Sequence, residues 1–317
     1  MRVVFFGTSE FSLPSLEALF STGIDVVAVF TQPDRLAGRG QKLTSPPVKV
    51  HTLDRGFQVL QPERVRSADI APFSPDAVVV VAYGQYLSEK LLNIPRLGGV
   101  NIHPSLLPRW RGAAPIQRAL LAGDRKTGVC AMRVAKEMDA GAILGRVVLP
   151  IGYRDSFEDL HGKLADAGAG LLIETLKFLE RGEAIETEQE PAFITYAGKV
   201  TKEEARLDWT MESDELDRRV RGLRPWPVAE TAWPDINGGA VRIWRAFPLD
   251  SEPGHGAVPG QILGEAETPE GRGLRVRCGT GDLALLEVQP PGKKRMAVME
   301  FLRGRLLFSN AMLGEPK

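Results

Sequence analysis

Asn101 and His103 stand two residues apart at the end of a β-branched run, Gly99-Val100-Asn101-Ile102-His103. In extended backbone this spacing sends both side chains to one face. A carboxamide beside an imidazole suits acyl transfer to an external amine. The amide donates to a developing oxyanion, and the imidazole moves a proton. Spacing alone is a weak signal, because an Asn-x-His more often closes a strand with ordinary hydrogen bonds. An acid is needed to orient the ring. Asp139, between a strand and a glycine turn, competes for that role on equal terms with Asp124 and Asp155.

Other chemistries find little support. Gly7 follows a strand-like run, but the residues there read GTSEF, without the three glycines of a dinucleotide loop, and no P-loop is present. The histidines at 51, 103, 161 and 255 are isolated from one another and from Cys130 and Cys278, so no metal site is expected. Two distant cysteines without a CxxC fit a reducing compartment. The start of the chain lacks the features of a signal peptide, and the most apolar run, Ala77 to Tyr83, is far too short to span a bilayer. A cytoplasmic, monomeric protein is expected. With 40 basic and 40 acidic residues there is no global field for nucleic acid, so any such contact must come from local clusters.

The elements that must position these residues follow from periodicity. Strands are expected at Val3–Phe6, Ile24–Phe30, Phe57–Leu60, Asp76–Ala82 and Gly99–His103, with helical stretches at Phe11–Phe20 and Ala113–Ala122. Thr127–Val134 and Ile143–Ile151 suit a hairpin, and Ser156 caps a long helix reaching Arg181. Alternation of this kind predicts an α/β, doubly wound sheet whose ligands sit beyond the carboxyl ends of its strands. The pattern changes near Lys199. One helix, Ser213 to Gly222, precedes short strands broken at Asn237-Gly238-Gly239 and Gly279-Thr280-Gly281-Asp282, which suits a small barrel or sandwich. Two domains are expected, 1–205 and 206–317.

The block Asn101–Gln117, NIHPSLLPRWRGAAPIQ, closely resembles the signature of folate-dependent formyltransferases, in particular the branch acting on methionyl-tRNA. Val79–Leu87 (VVVAYGQYL), Thr31–Lys49 (TQPDRLAGRGQKLTSPPVK) and Thr201–Trp209 (TKEEARLDW) resemble further segments of that family. The resemblance runs from end to end. It implies a Rossmann-like formyltransferase domain followed by an OB-like β-barrel that binds tRNA. It also implies formyl transfer from 10-formyltetrahydrofolate to initiator methionyl-tRNA, for translation initiation. Asn101, His103 and Asp139 are implied as the catalytic set, with Ser105, Leu106, Leu107, Pro108, Tyr83 and Gly84 walling the folate site. Pro104 stands where some members carry glycine. The family relies on the substrate's own amine, which explains why no Ser or Cys nucleophile is evident.

Two cationic regions remain. Thr31–Val50 carries Arg35, Arg39, Lys42 and Lys49 against Asp34, and reads as a long loop. Gly271 to Arg305 holds eight basic residues against three acids, an excess of five. The resemblance assigns the loop, with Arg39 and Lys42, to the tRNA acceptor end, and the second region, with Lys293, Lys294 and Arg295, to the tRNA body. Trp209, Trp226, Trp233 and Trp244 read as packing residues rather than base platforms, with Arg224-Pro225-Trp226-Pro227 a rigid turn. The rival reading is a formyltransferase acting on a sugar-nucleotide amine, which would have no use for a cationic arm.

Overall fold

The computed structural model describes residues 1–317 except 38–39, 235, 237–238, 252–255, 304–310 and 315–317. The chain forms two compact units. The first comprises Met1–Ile116, Lys126–Pro150 and Leu160–Gly198, and the second Gln117–Arg125, Ile151–Asp159 and Lys199–Lys317. Two short segments from the first half of the sequence therefore belong with the second unit.

The first unit is built on seven strands: β1 (Arg2–Gly7), β2 (Asp25–Phe30), β3 (Val59–Leu60), β4 (Ala77–Val81), β5 (Gly99–His103), β6 (Lys126–Arg133) and β7 (Ile143–Pro150). Their order is β7-β6-β5-β4-β1-β2-β3. The strands from β3 to β5 are parallel, whereas β6 runs antiparallel to both β5 and β7. The order reverses between β1 and β4, as a doubly wound sheet requires. Runs of Val and Phe in β1 and β4 are buried on both faces, as central parallel strands must be. Phe6 stacks on Phe30 at 4.8 Å and meets Tyr83 edge-on at 5.0 Å, within a core that also takes in Val4, Val78 and Leu91.

Two details fix the carboxyl edge of this sheet. Ser12 Oγ donates to the carbonyl of Val81 at 2.6 Å, and Thr8 Oγ1 to that of Tyr83 at 2.7 Å, tying the turns after β1 and β4 together. The long helix Phe157–Arg181 then sets the face of β5. A Cβ on Gly168 of this helix would stand 2.9 Å from Ile102 Cγ2, so Ile102 faces the helix and its neighbours Asn101 and His103 face away. The helix start is as expected from Ser156, whose backbone N–H is accepted by Asp159 Oδ2 at 2.9 Å while its Oγ accepts from Asp159 N at 3.2 Å.

Thr31–Val50 differs from expectation. In place of an irregular loop, Arg35–Ala37 and Lys42–Thr44 pair as an antiparallel hairpin, and a helix starts at Pro47. Asp34 anchors its base, accepting from Gln61 at 2.8 Å, Lys49 at 2.7 Å and Ser45 at 3.1 Å. The Gln61 amide and then the Lys49 ammonium hold this carboxyl below its usual range.

The second unit carries a six-stranded antiparallel sheet. Its strands are β8 (Glu230–Ala232), β9 (Ala240–Leu249), β10 (Ile262–Thr268), β11 (Gly271–Arg277), β12 (Asp282–Gln289) and β13 (Met296–Ala297), ordered β8-β9-β12-β11-β10 with β13 on β12. The helix Ser213–Gly222 lies as expected, with Leu216 and Val220 buried. Its Asp217, 1% exposed, accepts from Arg154 at 2.8 Å and Arg221 at 2.7 Å, and Arg154 also reaches Glu270 at 2.7 Å. This network fastens Ile151–Asp159 into the second unit, and losing one buried partner would strand the rest. Among the tryptophans, Trp209 and Trp233 are buried, Trp209 Nε1 donating to Thr231 Oγ1 at 3.0 Å, whereas Trp226 is exposed. The Asn237-Gly238 turn lies outside the described residues. No helix among the described residues is long and apolar enough to cross a membrane.

The close seat of Gly168 on Ile102 makes a stability prediction. Gly168→Leu should overpack the β5 face and lower the unfolding free energy by about 1–3 kcal/mol, read as a lower denaturant midpoint. An unchanged midpoint would contradict this account of how β5 is seated.

Candidate active site

β5 ends at His103, which is still paired with Cys130 of β6. Asn101 is half-buried and its carboxamide makes no hydrogen bond to other described residues, whereas His103 is buried. The His103 ring sits between two acceptors. Its Nε2 lies 2.9 Å from the carbonyl oxygen of Trp110, and Nδ1 lies 3.6 Å from Asp139 Oδ2. A carbonyl can only accept, so Nε2 carries the hydrogen, and Nδ1 is left on the side of the carboxylate. A positive charge gained at Nδ1 would therefore face the Asp139 carboxylate. The separation of 3.6 Å is an ion-pair distance, longer than a hydrogen bond.

Asp139 is held from several directions. Its Oδ2 accepts from the backbone N–H of Gly112 at 2.8 Å. Its own carbonyl accepts from Gln189 Nε2 at 2.8 Å, and the same amide nitrogen reaches Gly141 O at 2.8 Å. Gln189 Oε1 in turn accepts from Arg111 Nε at 3.0 Å. Gly112 has φ +117, and a Cβ there would stand 2.9 Å from Ala197 O, so only glycine fits where Arg111–Gly112 pairs with Tyr196–Ala197. Asp139 (φ 53), Trp110 (φ 65) and Ala82 (φ 46) all adopt left-handed backbone. Strain of this kind costs about 1–3 kcal/mol per residue and marks sites that the surroundings hold in place. Asp139 is thus brought to His103. Asp124 belongs to the second unit, as does Asp155, whose Oδ2 is spent on the N–H of Gly152 at 2.8 Å.

The other expected residues divide into two groups. Ser105 is buried, donating from Oγ to Arg109 O at 2.7 Å and from its backbone N–H to His103 O at 2.9 Å, which ties the loop to β5. Leu106 is half-buried and Pro108 follows a cis peptide bond. Leu107 sits in a core cluster with Cys130, Met132 and Ile143. Tyr83 is likewise a core side chain, its phenol pushed up to about 12 by burial. These two can face a ligand only with backbone. Gly84 (φ +86) lies against Gln32, whose Nε2 donates to Tyr83 O at 3.2 Å. Cys130 is buried and its thiol pushed up to about 11 by desolvation, so it is no nucleophile. Among the described residues no group of three or more His, Cys, Asp or Glu is placed to hold a metal ion.

The basic regions look different in three dimensions. Arg39 lies outside the described residues. Lys42 is exposed on the hairpin, beside the exposed Leu36 and Leu43. Arg275 and Arg277 turn onto the buried Asp282, at 2.6 and 3.1 Å, while Arg272 pairs with Glu265. Arg295 pairs with Glu287 and covers the Trp244 ring at 4.9 Å. Lys293 and Lys294 are exposed and make no ion pair with other described residues. Asp282 and Glu287 are acids already counted against the excess, so only Glu265 and Glu267, both on Arg272, lower it further, from five to three.

Sequence comparison identifies the family. The profile described as "Formyl transferase" matches residues 1–176, and that of "Formyl transferase, C-terminal domain" matches residues 199–306. The chain belongs to the formyl transferase family, and it is an enzyme of that class. It is 48% identical over 311 residues to the methionyl-tRNA formyltransferase of Methylococcus capsulatus, a match covering 97% of this chain and 98% of that protein. Among solved structures, HypX from Aquifex aeolicus in complex with tetrahydrofolic acid superposes with a TM-score of 0.64 at 17% identity. The match covers 100% of this chain but 49% of HypX, so this chain spans about half the length of that protein. WlaRD, a sugar 3N-formyl transferase, gives a TM-score of 0.65 at 14% identity, covering 93% of this chain and 99% of that one. At such identities these structures show the fold alone.

Gln189 had no signal in the sequence, since it stands in a polar stretch, Glu186-Thr187-Glu188-Gln189-Glu190. Its amide bridges three groups around Asp139. Gln189→Leu should leave them unpaired and loosen Asp139, lowering formyl transfer about tenfold while the far-UV circular dichroism is kept. Wild-type transfer by this variant would show that Gln189 does not position the carboxylate.

Proposed function

We propose that this protein transfers the formyl group of 10-formyltetrahydrofolate to the α-amine of methionine esterified to initiator tRNA. The observation that carries this reading is the 48% identity, over 97% of the chain, to a methionyl-tRNA formyltransferase, joined to the placement of Asn101, His103 and Asp139 at one strand end.

In the proposed reaction the neutral α-amine attacks the formyl carbon. A free α-amine has a pKa of about 7.7–8.0, so a useful fraction is neutral without a strong base. The new C–N bond gives a tetrahedral intermediate whose oxyanion accepts from the Asn101 carboxamide, which has no other partner among the described residues. Collapse breaks the bond to N10 of the folate. The ammonium proton must leave and N10 must gain one. His103 and Asp139 serve this exchange, with Nε2 held by Trp110 and Nδ1 passing the proton beside the carboxylate. The nucleophile comes from the substrate, so neither a protein nucleophile nor a metal is needed.

We assign the folate to the wall formed by Ser105–Pro108 and the Tyr83–Gly84 backbone. Tyr83 and Leu107 would then support that wall from behind. Arg39, and Lys42 on the hairpin, are assigned to the acceptor end, and Lys293 and Lys294, with Arg295 beside them, to phosphates of the tRNA body. We place the activity in the cytosol, on a monomer.

The test is a transfer assay that offers methionyl-tRNA and a sugar-nucleotide amine side by side. Formylation should be confined to methionyl-tRNA. Asn101→Ala, His103→Ala and Asp139→Asn should each lower turnover by about 10²-fold or more, with tetrahydrofolate binding nearly kept. Preference for the sugar amine would replace this reading with the rival one, and near-normal turnover in two of the variants would dismiss the catalytic set.

A further inference from the structure

Phe193 and Tyr196 are large apolar side chains left 62% and 72% exposed in the first unit. Single exposed apolar residues are ordinary. These two are different because of what their backbone is fastened to. Trp110, whose carbonyl holds His103, donates its own N–H to Thr195 Oγ1 at 2.9 Å. Tyr196 then pairs with Arg111 and Ala197 with Gly112 in a short parallel ladder. The Gly112 N–H is the group that holds Asp139 Oδ2 at 2.8 Å. At the other end of the segment, Gln189 is bonded to the carbonyl of Asp139. The stretch from Gln189 to Ala197 is thus a rim around the catalytic cluster, and Phe193 and Tyr196 are its exposed aromatic residues. The Tyr196 hydroxyl has no hydrogen bond, and its ring no aromatic partner, among the described residues.

We propose that Tyr196, flanked by Phe193, is the platform on which the terminal base of the tRNA acceptor end stacks. This rests on the function proposed above. If the α-amine lies at Asn101 and His103, the base follows after only an ester and one ribose, roughly the length of two extended residues. Tyr196 is the register partner of Arg111, next to the Gly112 amide that holds Asp139. Unpaired nucleotides are held by stacking on aromatic side chains, which requires an exposed ring on a rigid backbone rather than hydrogen-bonding partners. Tyr196 offers this, since the ladder and the Trp110–Thr195 bond fix its backbone while the ring stays open. The pterin of the folate is the competing aromatic occupant. It is disfavoured because the assigned folate wall, Tyr83–Gly84 and Ser105–Pro108, consists of other segments.

The experiment uses the full-length protein and initiator methionyl-tRNA whose terminal adenosine is replaced by 2-aminopurine riboside, a base whose fluorescence is quenched on stacking. The wild type and Tyr196→Phe should both quench it on binding. Tyr196→Ala should lose most of the quench and raise the KM for methionyl-tRNA about tenfold, within the range for one lost stacked base, with the KM for 10-formyltetrahydrofolate unchanged. Circular dichroism and the Phe variant separate a lost platform from a lost fold. Undiminished quench and KM in Tyr196→Ala would overturn the inference, as would a rise confined to the folate KM. If the wild type does not formylate methionyl-tRNA at all, the parent reading falls and this one with it.

Discussion

The bond from the Gly112 N–H to the Asp139 carboxylate holds the site together. Asp139 follows a strand by several residues and takes a left-handed backbone, so nothing local would keep it beside His103. The Gly112 amide draws it in, and Gln189 grips the peptide behind it. Gly112 in turn can serve only because Ala197 lies against it where any side chain would collide. Three stretches distant in sequence, around residues 110, 139 and 195, are thereby locked to the end of β5. His103 inherits its setting from this clasp, with Trp110 on one ring nitrogen and Asp139 on the other. Groups oriented before the substrate arrives need no reorganisation as charge develops, which is where electrostatic catalysis gains most.

Charge is used differently in the second unit. Asp217 and Asp282 are nearly or fully buried, each facing two arginines, and so hold segments together instead of presenting a field to solvent. Buried pairs of this kind contribute little net stability but are costly to break, which favours one arrangement of the segments over others. Lys293 and Lys294 stay exposed, and the phosphate contacts proposed for them would weaken as salt rises.

The sheet strands were legible because their Val and Phe runs are dictated by burial on both faces, and β5 and the helix Ser213–Gly222 were expected at the residues where they occur. Asn101 and His103 were legible as a pair because the two-residue period of a strand sets them on one face. Asp139 was not separable from Asp124 and Asp155 by physics, since the choice depends on a backbone amide 27 positions away. The resemblance to formyltransferases singled it out. The hairpin within Thr31–Val50 was hidden because its strands are three residues each, too short for a periodic signal. Counting charges along Gly271–Arg305 overstated the basic surface, because partners such as Glu265 come from the neighbouring strand. Nor did any sequence pattern reveal that Gln117–Arg125 and Ile151–Asp159 pack with the second unit, which ion pairs such as Arg154–Asp217 decide.

The central claim is that His103 and Asp139 act as one unit because the Gly112 clasp holds them together. A double-mutant cycle on single-turnover formyl transfer, with His103→Ala, Asp139→Asn and both combined, measures this directly. Residues that act as a unit are strongly non-additive, so the doubly substituted enzyme should be about as slow as the slower single variant. Losses that multiply, with the double variant slower by the product of the two single effects, would contradict the account.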